Sequence, residues 1–188
     1  MNQPLIIEKT GRNTKPVDLI SRLYQDRIIY LSGVIDSEMC DSIIIQLLWL
    51  NTDNAHEDIN LYIHSPGGSI VDGFAIKDII NNLSAKVNTI GIGECSSMGA
   101  YLLACGTGVR KATESCRIMI HSLSTGMKGT FHDIKIDFKE SEFLQEKILS
   151  DLSEFTGLSL EKIQEISNRD FYMSADEAIK LGFIDKKL

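Results

Sequence analysis

The chain has little of what marks a membrane-spanning, secreted or nucleic-acid-binding protein. No apolar run approaches the ~18 residues that a bilayer helix needs, so no contact with a membrane is expected. The opening Met1-Asn2-Gln3-Pro4-Leu5-Ile6-Ile7-Glu8 lacks the basic flank and long apolar stretch of a secretory signal, which implies a cytoplasmic setting. Basic tracts are missing too. Against 26 acidic residues there are 19 lysines and arginines, for a net charge of -7, and this disfavours a nucleic-acid partner. Only three prolines occur, and no Ser/Gly-rich linker or internal repeat divides the 188 residues, so a single domain over 1–188 is expected. Cys40, Cys95, Cys105 and Cys116 show no CxxC spacing, and His56, His64, His121 and His132 form no i, i+4 pair. The expectation is therefore no metal, and four buried free thiols. Apolar residues at 43% and charged ones at 24% exclude disorder and fibrous architectures.

What is present is an alternation of short β-branched runs with longer helical patterns. Arg27-Ile28-Ile29-Tyr30-Leu31 reads as a buried strand. Ser37 offers an N-cap to a helix with Cys40, Ile43, Ile44, Leu47 and Leu48 at helical spacing. Asp58 to His64 is a second strand, Ile70 to Leu83 a helix, and Lys86 to Ile92 a third strand. Ser97 to Cys105 is a helix ended by Gly106, and Arg117 to Ile120 a short strand. Strands separated by helices of this length argue for parallel βαβ crossovers and an α/β domain. From Thr130 to Phe155 runs a long amphipathic pattern, with Phe131, Ile134, Phe138, Leu144, Ile148, Leu152 and Phe155 on one stripe. Thr130 with Asp133 forms a capping box and Gly157 a C-cap. The stripe fits a core face and a neighbour's helix equally well. Ser174 with Glu177 is a second capping box, opening a short helix closed by Gly182.

Four segments could carry chemistry. Tyr62-Ile63-His64-Ser65-Pro66-Gly67-Gly68-Ser69 joins a strand to a helix, and its paired glycines either make a tight turn or aim N–H groups at an oxyanion. Gly91-Ile92-Gly93-Glu94-Cys95-Ser96-Ser97-Met98-Gly99-Ala100 lifts a serine to a strand–helix junction, where a helix N-terminus favours developing negative charge. It is not the G-x-S-x-G elbow, because Cys95 replaces the first glycine. Either Ser96 caps the helix or Ser97 is a nucleophile. His121 closes the strand Arg117-Ile118-Met119-Ile120, at a rim where ligands collect in α/β folds or as a structural histidine. Asp170 lies in the polar stretch Asn168-Arg169-Asp170-Phe171-Tyr172-Met173-Ser174 between helices, as an orienting carboxylate or one half of an Asp–Arg surface pair. Together the segments hold a nucleophile, a base, a carboxylate and oxyanion donors, the inventory for acyl transfer.

Ordered over nearly the whole length, these segments resemble the ClpP family, the proteolytic subunits of the Clp protease. The likeness rests on Asp18-Leu19-Ile20-Ser21-Arg22-Leu23, Arg27-Ile28-Ile29-Tyr30-Leu31-Ser32-Gly33 and Leu61-Tyr62-Ile63-His64-Ser65-Pro66-Gly67-Gly68. It continues through Ser97-Met98-Gly99-Ala100-Tyr101-Leu102-Leu103, Arg117-Ile118-Met119-Ile120-His121 and Arg169-Asp170-Phe171-Tyr172-Met173-Ser174-Ala175. The resemblance implies Ser97 as nucleophile, His121 as general base, Asp170 as third member, and the backbone N–H of Gly68 and Met98 as oxyanion donors. It implies a crotonase-like ββα spiral head, an axial N-terminal segment over about 1–17, and a protruding helical handle over about 122–157. Two heptameric rings would stack through their handles around a chamber, fed with unfolded polypeptide by an AAA+ unfoldase of the ClpX, ClpA or ClpC type. ATP would be consumed by that partner, and the subunit itself would need no cofactor.

Departures from the family pattern are Ser122-Leu123 where Gln-Pro is usual after the histidine, His64 where Asn is usual, and Thr113-Glu114-Ser115-Cys116 in place of Leu-Pro-Asn-Ser. Tyr62, Ile90 and Ile92 fit the family's apolar docking sites for unfoldase loops, whereas Asn60, Asn82, Lys111 and Thr113 fall at or near positions that tend to be apolar. Losing apolar contacts removes roughly 1–3 kcal/mol for each buried side chain, so weak docking is expected, and pairing with a second ClpP-like ring. The alternatives are a crotonase-type acyl-CoA hydratase or isomerase, which needs no serine nucleophile, and a catalytically silent ring subunit.

Overall fold

Apolar runs too short to stand alone are paired side by side through crossover helices, which is how this sequence buries one face of its first strands. The computed structural model describes residues 5–10 and 13–188. The axial segment expected over 1–17 therefore lies partly outside the described residues, at 1–4 and 11–12. Its described part is an antiparallel hairpin of β1 (Leu5–Thr10) and β2 (Asn13–Asp18). Next come α1 (Leu19–Gln25), β3 (Ile28–Ser32), α2 (Ser37–Asp53), β4 (Ile59–Ser65), α3 (Ile70–Asn82) and β5 (Val87–Ser96). The chain continues through α4 (Met98–Ala104), β6 (Arg110–Ala112), β7 (Arg117–Ile120) and α5 (Phe131–Thr156). It ends with α6 (Leu160–Ser167), β8 (Phe171–Met173), α7 (Ala175–Lys180) and β9 (Lys186–Lys187).

The main sheet runs β3-β4-β5-β6-β9, all parallel, as the crossover spacing requires. Strand β5 is longer than the sequence pattern predicts, and it forks. Its residues Thr89–Gly91 pair with β6, while Glu94–Ser96 pair with β7, which in turn holds β8 antiparallel. Between these halves the register against β4 slips: Ile63 faces Gly91, but Ser65 faces Cys95. Extra residues on one strand bend and twist it. The bulge thus turns the end of β5 away from β6 and onto β7. Ile29, Leu31, Leu61, Ile63 and Val87 bury one face of the sheet with Ile43, Leu47, Ile76 and Ile80 of α2 and α3, and every residue of α4 is buried.

Helix caps set where the crossovers begin. The cap of α2 is Asp36, whose carboxylate accepts from the Met39 amide at 2.9 Å, and Ser37 is already the first helical residue. An ionised acceptor beside four free N–H groups outcompetes a hydroxyl one residue later. Both expected capping boxes form, Thr130 with Asp133 and Ser174 with Glu177, and Gly157 closes α5 at φ 74°. The amphipathic stripe of α5 serves two environments. Leu152 is buried, and Ile148 and Phe155 pack on the core, whereas Phe131 is 77% exposed and Ile134 and Phe138 also face out. Core face and exposed apolar face are successive lengths of one helix.

Candidate active site

The turn from β5 into α4 holds Ser97 at φ 54°, ψ -120°. An L residue in such a region costs of order 1–3 kcal/mol and persists only where its surroundings enforce it. Here they do. The Ser97 N–H donates to the Met119 carbonyl at 2.7 Å, and its carbonyl accepts from Tyr101 N–H at 3.1 Å. Gly67 backs against the turn at φ 101°, where a Cβ would lie 2.7 Å from the Ser97 Cβ and 3.0 Å from the Met98 nitrogen. Only glycine fits that approach. The Ser97 side chain makes no cap bond; its Oγ lies 2.9 Å from His121 Nε2. Ser96 is buried and donates to Glu94 Oε1 at 2.8 Å. Of the two serines, Ser97 alone opens toward the histidine.

His121 follows β7 directly. Because β8 pairs antiparallel with β7, Ile120 opposite Phe171, the residue before β8 is carried beside the residue after β7. That residue is Asp170, immediately before a strand rather than in a loop that runs from helix to helix. Its ionic neighbour is His121, with Nδ1 to Oδ1 3.9 Å and side-chain exposures of 26% and 61%. At 3.9 Å this is electrostatic proximity, not a hydrogen bond. Arg117 stands over the Tyr172 ring, its guanidinium 6.0 Å from the ring centre.

Gly68 and Met98 line the same cleft as Ser97 and His121. Among the described residues neither of their amide N–H groups is taken by a hydrogen bond. The glycine turn is pinned from behind by Ile35, which donates to the Gly67 carbonyl at 2.9 Å and accepts from Ser69 N–H at 2.8 Å. The cleft measures about 160 Å³, and Ile70, Tyr101, Ile120, Leu123, Ile148 and Leu152 give it apolar walls. Sequence reading missed these walls as a set, since they come from four separated segments. Ile148 and Leu152 did stand on the α5 stripe. So, between them, did a charged residue, Asp151, and a carboxylate on an apolar face was the one available signal for what lies behind the cleft.

Burial withholds the thiols as competing nucleophiles. All four are free and buried. Contact with Cys116, at 4.0 Å between sulfurs, and burial push the Cys95 thiol well above its ordinary range, the same contact lowers the buried Cys116, and burial pushes Cys105 up to about 12. Burial, reinforced by its hydrogen bond to Asp151, likewise raises the Tyr101 phenol. Burial works to lower the Lys77 ammonium, but its hydrogen bond to Asp78 and the Asp151 carboxylate outweigh this and raise it.

The expected docking residues gather on the sheet's other face, far from this turn in register. Tyr62 is the cross-strand partner of Ile90, with Tyr30 beyond Tyr62 and Lys111 beyond Ile90. Ile90 is only 1% exposed, so in the single chain it offers no surface, while Tyr62 and Ile92 are half-buried. Asn60 accepts from the Asn88 side chain at 3.2 Å, and that amide also reaches Asp58 at 3.2 Å. Polar residues here are tied to one another along the strand ends.

Comparison with known proteins places these observations in context. The family model described as Clp protease matches residues 11–188. The chain is 42% identical over 183 residues to the ATP-dependent Clp protease proteolytic subunit 2 of Synechococcus sp. (strain CC9605), covering 97% of this chain and 93% of that protein. It is 43% identical over 183 residues to proteolytic subunit 1 of Prochlorococcus marinus (strain MIT 9312), with 97% and 94% covered.

Proposed function

The chain belongs to the Clp protease family and is a protease subunit, and from that premise we propose that it is a serine peptidase acting through Ser97, His121 and Asp170. The observation that carries the proposal is the 2.9 Å contact of Ser97 Oγ with His121 Nε2 at the mouth of an apolar cleft. His121 takes the Ser97 proton as Oγ attacks the peptide carbonyl, then returns it to the leaving amine. The N–H groups of Gly68 and Met98 receive the oxyanion. Water then attacks the acyl-enzyme by the reverse proton path, so the chemistry calls on no metal or organic cofactor. Asp170 holds the imidazole tautomer and balances the imidazolium charge. A family of this kind disfavours the acyl-CoA hydratase reading, which also leaves the strained serine without a purpose.

The same premise implies a Clp ATPase partner and a multimeric complex. In our reading, two heptameric rings meet through the exposed length of α5, where Phe131, Ile134, Ile136, Phe138 and Phe143 face water in the single chain. A stripe of that size marks an interface. An AAA+ unfoldase threads unfolded polypeptide into the chamber, in the cytoplasm. It docks on the face where Tyr62 and Ile92 are accessible over the buried Ile90, weakly because of the polar neighbours, and a second ClpP-like ring completes the assembly. Tight capture of a ClpX-type unfoldase by the pure homo-oligomer would refute the weak docking and the need for a second ring.

A serine-directed fluorophosphonate tests the catalytic reading. It should label Ser97, located by peptide mass, and Ser97→Ala should lose labelling and peptide hydrolysis together while keeping its assembly state. Retained hydrolysis in that variant would overturn the assignment, and no hydrolysis by the wild-type assembly would favour the silent subunit.

A further inference from the structure

Three helices wall the cleft: Ile70 begins α3, Met98 and Tyr101 belong to α4, and Ile148 and Leu152 to α5. Behind it the same three helices meet at one buried carboxylate. Asp151 of α5 is 4% exposed, and its Oδ2 accepts the Tyr101 hydroxyl of α4 at 2.6 Å. The same oxygen lies 3.6 Å from the Lys77 Nζ of α3. Its Oδ1 accepts from Lys147 at 2.7 Å, one turn back on α5, and buried Lys77 also donates to Asp78 at 2.7 Å. Asp151 stands three residues from Ile148 and next to Leu152, so it shares the stretch of helix that faces the cleft.

None of these groups takes part in the hydrolytic steps. Nor is stability a sufficient reason for them, because apolar side chains of the same shape are often as stable as a buried ionic cluster or more so. What such a cluster adds is direction. Apolar helix contacts weaken gradually as helices slide, whereas a short hydrogen bond to a carboxylate is lost over a small displacement. Tyr101 is the part that feels this. Its ring is a wall of the cleft, its hydroxyl is held by Asp151, and Phe74 and Phe155 flank it with ring centres at 5.6 and 5.5 Å.

We propose that Asp151 is a positioning residue that fixes the width of the cleft, and through it the size of substrate side chain the cleft accepts. The inference rests on the peptidase reading for its biological meaning, but the clamp is a property of the cleft itself. With the carboxylate joined to all three walls, the cleft discriminates between side chains. Without it, the walls adjust to each one.

The test uses two variants of the full-length chain. Tyr101→Phe removes only the hydroxyl, and Lys77→Met/Tyr101→Phe/Asp151→Leu replaces the cluster by apolar side chains of similar volume. Fluorogenic peptides differing only in Ala, Leu, Phe or Trp at the residue that supplies the scissile carbonyl report selectivity. The triple variant should melt at the wild-type temperature or above, while the span of kcat/KM across the four peptides shrinks about tenfold, mostly through KM. The affinities of product-like peptides ending in the same four residues, read by fluorescence anisotropy, should converge likewise. Tyr101→Phe should move both spans in the same direction, and it decides the matter if the triple variant does not fold. Spans unchanged in both measurements overturn the clamp. Converging affinities with no turnover by the wild-type chain would instead overturn the peptidase reading and leave the clamp standing.

Discussion

Removing one charge, by Asp170→Asn, tests how the third member of the site acts. Its carboxylate lies 3.9 Å from His121 Nδ1, too far to accept a hydrogen bond and near enough for charge to matter. Two unit charges at that distance attract by about 1 kcal/mol in water and about 4 kcal/mol at the effective dielectric of a protein surface. Asp170 is 61% exposed, so screening moves the figure toward the lower end. About 1–3 kcal/mol of imidazolium stabilisation corresponds to roughly 5- to 150-fold in rate. A closed, hydrogen-bonded carboxylate is worth about 10⁴-fold. Initial rates on a peptide reporter should therefore fall by the smaller factor wherever the site keeps this geometry, and by the larger one where assembly draws the carboxylate in. Salt separates the two cases. Raising ionic strength from 0.1 to 1 M shortens the screening length from about 10 to about 3 Å, and should narrow the gap between wild type and variant only in the open geometry. A variant as active as wild type would refute any role for Asp170, and a salt-independent loss would refute the open geometry.

Further outcomes follow from the turn and its surroundings. Ser97→Gly and Ser97→Ala should both be inactive, but glycine relaxes the backbone at φ 54°, so it should melt higher by about 2–4 °C for each kcal/mol of strain released; the reverse order in calorimetry would mean the turn is not strained. Gly67→Ala places a Cβ against Ser97 and Met98, and should lower kcat/KM about 100-fold through a displaced nucleophile, with near-normal kinetics counting against the packing argument. Burial tends to raise the Asp185 carboxyl, but hydrogen bonds from Arg110, 2.6 Å at the closest, hold it below its ordinary 3.8. That contribution is present above pH 3.8 and lost as pH falls through the lowered value, so Asp185→Asn should flatten the acid limb of a stability curve, and an unchanged limb would contradict the pairing. None of the four thiols should react with an aromatic disulfide reagent at pH 8 until the chain unfolds; one fast-reacting thiol in the native protein would show that its burial is not maintained.

Several features were legible because their causes are local. Thr130 with Asp133 and Ser174 with Glu177 place helix starts within one turn, and glycine at 157 ends a helix by adopting a left-handed backbone. The alternation of apolar runs set the α/β class, and the resemblance carried by the ordered motifs made Ser97, His121 and Asp170 the candidates before any coordinates. Local reading misjudged Ser37 for Asp36, and missed β6, β8 and β9, which are two or three residues long and become strands only because a neighbour supplies their hydrogen bonds. The choice between Ser96 and Ser97 had no local answer either, because it depends on Glu94 capturing one hydroxyl and the end of β7 presenting an imidazole to the other.

The amino-acid order by itself determined where the long helices and the apolar strands lie, and which side chains are chemically able to attack a carbonyl. Only the tertiary structure decided that the register slip between β4 and β5 swings Ser97 onto β7, that the β7–β8 pairing leaves Asp170 3.9 Å from the imidazole, and that three helices meet at Asp151. Propensity and capping act over a few neighbouring residues, whereas a distance between residues 97, 121 and 170 is set by how the whole sheet coils.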